Sequence, residues 1–455
     1  MDDMLLVRLY NVGLGDCIYL QIPDGGECRH ILIDCGNKFG STEELRGAIQ
    51  DLESRLPPLD GDPEKKRLDL LVVTHAHEDH LRGFDPELFE RIHIDRLWLS
   101  VAMDPEHPQA EKARAAQAFA ISTLESLRGA ALSPAVAELV DSLYGLTKSE
   151  AVAALRAGSL GANGIRPLYV HAGTPEVLEL FESEGIRLRI LAPEADIDHV
   201  YVGKTSEALD DLQAFTESMT AHSPHRPAAP RDEPQDDWPR NISRADFLRL
   251  RQRLSLNALA FVLEQGHLVN NTSVVLLLEW RGRRLLFPGD AEVKTSFRGK
   301  VLKGHSNGSW NVMWDRHHDA LAEPVDFLKV GHHGSDNATP WTAGRMAASD
   351  GEAREEHPIN GILDALLPVP SRGRKPTALA VVSTRRTKSY RRIPDPDLMA
   401  ELGRRVANVR LYSEPRDRGF FVPSEVHQPQ RTDLEHQHMK GTRVPYIDVE
   451  LTPRS

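Results

Sequence analysis

The chain has 455 residues, enough for two or three domains and a large buried core. Hydrophobic residues make up 40% and charged residues 27%, ordinary proportions for a globular protein. The net charge of −12 argues against a surface coated in basic groups for non-specific nucleic-acid binding, while leaving room for a local basic groove.

The chain opens acidic, Met1-Asp2-Asp3-Met4, without the basic segment and small-residue cleavage site of a signal peptide. No apolar run approaches the roughly 18 residues of a membrane span. Cys17, Cys28 and Cys35 are odd in number and sparse, which reads as reduced thiols, not a disulfide framework. The expectation is a cytoplasmic protein with no membrane partner. Leu5–Tyr10, Cys17–Ile22 and His30–Ile33 read as strands, the last two joined by the turn Pro23-Asp24-Gly25-Gly26. Ser41 and Glu44 form a capping box, and Leu45, Ile49, Leu52 and Leu56 follow at helical spacing. Leu68–Thr74 is a continuous apolar run, the mark of a strand buried on both faces, and Arg96–Ser100 is the next strand.

Residues 105–265 differ in character. Helical stretches such as Gln109–Arg128 and Arg244–Leu254 dominate, interrupted by strand-like pieces at Arg166–Val170 and Arg187–Leu191. Pro224, Pro227, Pro230, Pro234 and Pro239 make 221–240 read as a flexible loop. Strands resume at Ser273–Trp280, Arg284–Phe287, Asp326–Val330, Thr377–Ser383 and Asn408–Tyr412. The expected organisation is a layered α/β core in two halves, 1–104 and 266–455, around a mainly helical insertion over 105–265.

Three motifs carry chemistry. Thr74-His75-Ala76-His77-Glu78-Asp79-His80 places four candidate ligands in six residues directly after a buried strand. His75 and His77 can converge on one ion while Asp79 and His80 face a second. Imidazole and carboxylate are the donor set of catalytic zinc. Pro288-Gly289-Asp290 presents a carboxylate at a strand end, placed to bridge two cations. Gly331-His332-His333-Gly334-Ser335 sets paired histidines between glycines after another strand.

These motifs, together with Asn11-Val12-Gly13-Leu14-Gly15-Asp16, Ile33-Asp34-Cys35-Gly36 and Asn271-Thr272-Ser273-Val274-Val275, occur in the order found in the metallo-β-lactamase-fold hydrolases. Among these the chain most resembles the domain attached to the bacterial DNA-internalisation competence protein. The resemblance covers roughly 1–100 and 265–425, and includes the closing segments Ala378–Ser383, Pro394–Leu402 and Val409–Ser413. It implies an αββα sandwich and two divalent ions, zinc or alternatively manganese. His75 and His77 would hold the first ion and Asp79 and His80 the second. Asp290 would bridge, and His332 or His333 would complete the second site. Asp34 would orient a ligand histidine, and Asp16 would shape the neighbouring loop. His267 is the nearest candidate for a further ligand to the first ion, or else a surface histidine. The catalytic roles fall to Asp79, Asp290 and His333.

Between Ser371 and Arg392 stand eight Lys or Arg and no Asp or Glu. Arg385, Arg386, Lys388, Arg391 and Arg392 follow the strand Thr377–Ser383 and would line the same rim as the metal loops. Guanidinium groups there suit phosphate, though an ordinary solvated loop would look the same. The expected function is a metal-activated phosphodiesterase or nuclease. The alternatives are hydrolysis of a lactone, lactam or thioester, and a metal-stabilised accessory subunit that binds a protein partner through the insertion.

Overall fold

A computed structural model of the chain describes residues 4–38, 40–128, 150–175, 181, 185–202, 243, 245–246, 264–296, 300–342, 358–384, 393–407 and 446–454, with the side chains of 120–128 excepted. The strands are β1 (Leu5–Tyr10), β2 (Cys17–Asp24), β3 (Glu27–Cys35), β4 (Pro58–Leu59), β5 (Asp62–Leu68), β6 (Leu70–Val73), β7 (Ile92–Ile94), β8 (Leu97–Ser100), β9 (Leu168–Val170), β10 (Ile186–Ala192), β11 (Val275–Trp280), β12 (Arg283–Phe287), β13 (Phe327–Val330), β14 (Leu379–Val382) and β15 (Tyr446–Leu451). They form a seven-stranded sheet in the order β15-β1-β2-β3-β6-β8-β9 and a five-stranded sheet in the order β10-β11-β12-β13-β14. A small third sheet pairs β4, β5 and β7.

The two large sheets face each other. Val7, Ile18, Ile33 and Val72 from one pack against Leu276, Leu278, Phe287 and Phe327 from the other. The outer face of the first sheet buries Tyr19, Leu32 and Val73 against Leu45, Ile49 and Leu52 of the helix Thr42–Arg55. The outer face of the second buries Leu277, Leu286 and Leu328 against the helices Ser309–Arg316, Asn360–Leu366 and Pro396–Arg405. This is the expected four-layer αββα order, with three separate apolar cores, one between each pair of layers.

Local chemistry explains the elements. The Ser41 side chain accepts from the Glu44 amide at 3.2 Å while the Glu44 carboxylate accepts from the Ser41 amide at 2.9 Å, so both ends of the capping box are made. All four residues of β6 are buried because the strand lies between β3 and β8, parallel to both. In each sheet one portion is antiparallel and the other parallel: β3, β6, β8 and β9 in the first, β12, β13 and β14 in the second. Parallel neighbours end at a common edge. The turns after β3, β6, β12, β13 and β14 are thereby brought together.

The stretch 105–265 gives strands to both sheets: β9 extends the first beside β8, and β10 extends the second beside β11. Its described parts are therefore partly core and not solely an appended unit. The loop at 221–240, most of Arg244–Leu254, and Asn408–Tyr412 lie outside the described residues. Among the described residues no helix is long and apolar enough to cross a membrane.

The seven-stranded sheet is closed on one side by β15, antiparallel to β1 in the register Leu5↔Leu451 to Tyr10↔Tyr446. Arg8, 2% exposed, fastens this seam. Its guanidinium donates to Asp448 at 2.7 and 2.6 Å and to Asp51 on the first helix at 2.7 Å, with the Tyr446 ring 3.5 Å from its carbon. Removing one partner from such a buried network leaves the other charge without compensation. Arg8→Ala is expected to lower unfolding stability by about 3–5 kcal/mol in a urea titration. Arg46→Ala, which breaks only the exposed pair with Glu43, should change it by less than about 1 kcal/mol. Equal effects of the two changes would contradict this account of the seam.

Candidate metal centre

The turn after β6 sends His75 and His77 inward, and the short helix Glu78–Leu81 adds Asp79 and His80. All four are buried. The β12 turn brings Asp290, 1% exposed, to the same place. Its Oδ2 lies 3.8 Å from His75 Nε2 and its Oδ1 lies 3.3 Å from His80 Nε2. The rings of His75 and His77 are 4.7 Å apart between centroids, and those of His75 and His80 are 4.2 Å apart. His333 follows β13 and reaches Asp79, Nε2 to Oδ2 at 3.2 Å, while its Nδ1 lies 3.0 Å from the Ser383 carbonyl at the end of β14.

Within this cluster His75 Nε2, His77 Nε2, His80 Nε2 and Asp290 Oδ2 are buried and make no hydrogen bond. Leaving one polar atom buried without a partner is costly, and His75, His80 and Asp290 offer ligand atoms within 4.8 Å of one another. Nitrogen and oxygen donors arranged in this way are the ligands of borderline divalent ions such as zinc. The cluster is a candidate metal centre. Two ligand triplets stand close enough to share an ion: His75, His80 and Asp290, and Asp79, His80 and His333. A third, Asp16, Asp34 and His80, also converges. It is already neutralised, because His80 Nδ1 is held by Asp34 at 2.7 Å and Asp16 is paired with the Lys329 ammonium.

Asp34 is the hub behind the donors. One of its oxygens accepts from the Thr74 amide at 2.7 Å, and the other from the Thr74 hydroxyl at 2.6 Å and the His80 ring. With Nδ1 held there, His80 is obliged to present Nε2 to the cluster. Thr74 Oγ1 also lies 3.0 Å from His75 Nδ1 and turns that ring the same way. The backbone is strained to achieve this. Asp34, His332 and His333 have φ of 56°, 41° and 54°, the left-handed region that side chains avoid at a cost of roughly 1–2 kcal/mol per residue. Gly289, at φ 54°, lies in the same region, and a Cβ there would stand 3.0 Å from Ser273 and 3.2 Å from Thr74.

The two histidines of the pair separate. His333 joins Asp79 and His80. His332 is part-exposed, its Nδ1 3.0 Å from Ser335 Oγ and 3.5 Å from Glu292 Oε1, and its amide donates to Asp290 at 3.0 Å. His267 stands apart from the cluster. Its Nδ1 bonds the Glu292 carboxylate at 2.8 and 3.0 Å, and that bond, against the opposing effect of burial, raises its pKa. Asn270 and Asn271 donate to the same carboxylate at 2.8 and 3.3 Å. Arg385, Arg386, Lys388 and Arg391 lie outside the described residues. The sequence alone assigns no site role to Thr74, Ser383, Glu292 or Lys329. For Lys329 a signal was present, since a lysine inside the apolar strand Phe327-Leu328-Lys329-Val330 demands a buried partner.

No family model matches the sequence, and no curated protein matches it. Among solved structures, the chain is similar to a β-lactamase domain protein from Burkholderia ambifaria at 18% identity, over 41% of this chain and 44% of that one, with a TM-score of 0.22. The match spans less than half of that protein, and a superposition this limited says nothing of activity.

Protonation divides the donors. Burial, helped by the charge of His80, holds His75 well below its ordinary pKa, and burial brings His77 down to about 4. Burial also opposes charge on His80, but Asp290 and Asp34 outweigh it and raise that pKa well above the usual range. His333 is raised in the same way, by Asp79 first, against its burial. The raised pKa values of His80 and His333 set protons in competition with an incoming cation there, more than at His75 or His77. Metal uptake at neutral pH should therefore release protons. Dialysis from about pH 7.5 down to about pH 5, with metal analysis at each step, should show the ion of the Asp79–His80–His333 group lost before that of the His75–His77 pair. Loss in the reverse order would contradict the protonation pattern.

Proposed function

We propose that the protein is a two-metal hydrolase acting on a phosphodiester, with His75, His77 and Asp290 as ligands of one ion, Asp79, His80 and His333 as ligands of the other, and Asp290 between them. The observation that carries this reading is the set of buried donor atoms on His75, His77, His80 and Asp290 that lack any hydrogen-bond partner, with His75, His80 and Asp290 offering ligand atoms within 4.8 Å of one another. When bound, divalent ions of this kind act as Lewis acids and lower the pKa of a bound water toward neutrality, so that hydroxide is available as the nucleophile.

The chain's own residues prepare that chemistry. Burial works against ionisation of Asp79 and Asp290, yet His333 and His80 hold both carboxylates well below their usual pKa, so both stay anionic at neutral pH. Asp34 and Thr74 fix ring orientation, and the Ser383 carbonyl fixes His333. Pre-set positions of this kind avoid reorganisation as charge develops on the substrate.

The phosphodiester assignment is supported by the sequence, through the basic run at Arg385, Arg386, Lys388 and Arg391 and the resemblance to the competence-protein domain. A second reading, a small uncharged carbonyl substrate such as a lactone, is favoured by one observation. A cavity of about 620 Å³ beside Glu292 and His267 is lined by Glu264, Asp336, Asp395 and Asp397, with Lys294 as its one described lysine or arginine. Such a lining suits a polyanion poorly.

The discriminating assay is cleavage of single-stranded DNA, a cyclic dinucleotide and a lactone, each with and without chelator. Phosphodiester cleavage is expected, and should fall at least about 100-fold with chelator or with Asp79→Ala. Changing Arg385, Arg386 and Arg391 together to Ala should lower it further while metal content stays constant. A polymeric substrate should also show a steep salt dependence. Turnover of the lactone alone, indifferent to the triple change, would replace the phosphodiester reading with the second one.

A further inference from the structure

Lys329 sits in the interior of β13 with its side chain 1% exposed. Among the described residues its ammonium has one charged partner, Asp16, 313 positions earlier and equally buried. A pair so fully desolvated contributes little net stability compared with apolar side chains of similar size. Its location is more informative than its energy. β13 delivers His333, three residues after its last residue Val330, and the intervening Gly331 packs so closely on the Gly289 carbonyl that a Cβ would stand 2.6 Å from it. Asp16 belongs to the loop between β1 and β2, and its amide donates to the Asp79 carbonyl at 3.1 Å.

That loop touches the Asp79–His80 turn without slack. A Cβ on Gly15 would stand 2.8 Å from the Asp79 carbonyl and 2.2 Å from that of Gly36, and one on Gly36 would stand 2.5 Å from the His80 amide. The Asp16 carbonyl in turn accepts from the Gly36 amide at 2.9 Å, two residues after Asp34. Contacts this close transmit a displacement instead of absorbing it. Lys329 therefore ties the strand that carries His333 to the turn that carries Asp79 and His80.

We propose that Lys329 is a positioning residue for the Asp79–His80–His333 ion site, setting through Asp16 the separation of His333 from Asp79 and His80. The inference rests on the two-metal reading. It is distinct from a role in stability alone, in which the pair would serve only to neutralise two buried charges.

Zinc binding by calorimetry and metal analysis tests it, with thermal unfolding measured alongside. Wild type is expected to bind two ions per chain. Lys329→Met strands the Asp16 carboxylate and should both destabilise the protein and weaken the second ion. The double change Asp16→Asn with Lys329→Met removes both charges at nearly constant volume. It should unfold close to the wild-type temperature and bind the first ion normally, while the second is weakened about 10- to 100-fold. If the double variant binds both ions as wild type does, the pair is structural only and the inference is overturned. Equal weakening of both ions, or failure of the double variant to fold, would overturn it as well. Fewer than two ions on wild type would refute the two-metal reading itself, and the inference with it.

Discussion

Desolvation is the constraint from which the rest of this structure follows. Asp34, Asp79 and Asp290 are held out of water together with His75, His77, His80 and His333, and none of these groups can be buried in isolation. Each carboxylate is instead compensated by an imidazole or a backbone donor. His80 faces Asp34 through one nitrogen and Asp290 through the other. The compensation is incomplete at one donor atom each of His75, His77, His80 and Asp290. Two sheets are needed to assemble it, because Asp34 and the His75–His80 turn come from the first, while Asp290 and His333 come from the second.

Much of this was legible in the sequence because it depends on local pattern. β1 spans the six residues expected, and the capping box at Ser41 is made on both sides. The residues of the His75–His80 turn, Asp290 and His333 meet in one place. What could not be read is what depends on distant chain segments. The division of labour within His332–His333 is decided by left-handed backbone at both residues, which aims one ring at Asp79 and leaves the other beside Glu292. Neighbouring histidines in a glycine-flanked turn look equivalent until their φ values are known. His267 has the composition of a ligand, but its partner is the buried Glu292, a residue 25 positions away whose carboxylate also accepts from Asn270 and Asn271.

The boundaries of 105–265 show the same limit. Its helical composition reads as an inserted unit, yet β9 and β10 are short pieces that pair at the sheet edges and bury Val170, Leu188 and Ile190 in the central core. Three to seven residues of moderate alternation do not announce which sheet they will join. β15 illustrates it further, since its partner strand is β1 at the far end of the numbering.

That pairing has a consequence for how the protein is made. Arg8 and Asp448 are 440 positions apart, so β1 exposes an unpaired edge until those further residues have been made. An open edge of this kind recruits other strands, and contacts of such long sequence separation form slowly. Until β15 arrives, Arg8 lacks Asp448 and its stacking partner Tyr446, and Asp51, which also accepts from the Tyr10 hydroxyl, must satisfy it alone. A chain that lacks β15 would hold the assembled His75–His80, Asp290 and His333 cluster beside an open sheet edge, which makes this strand a point of quality control for the fold.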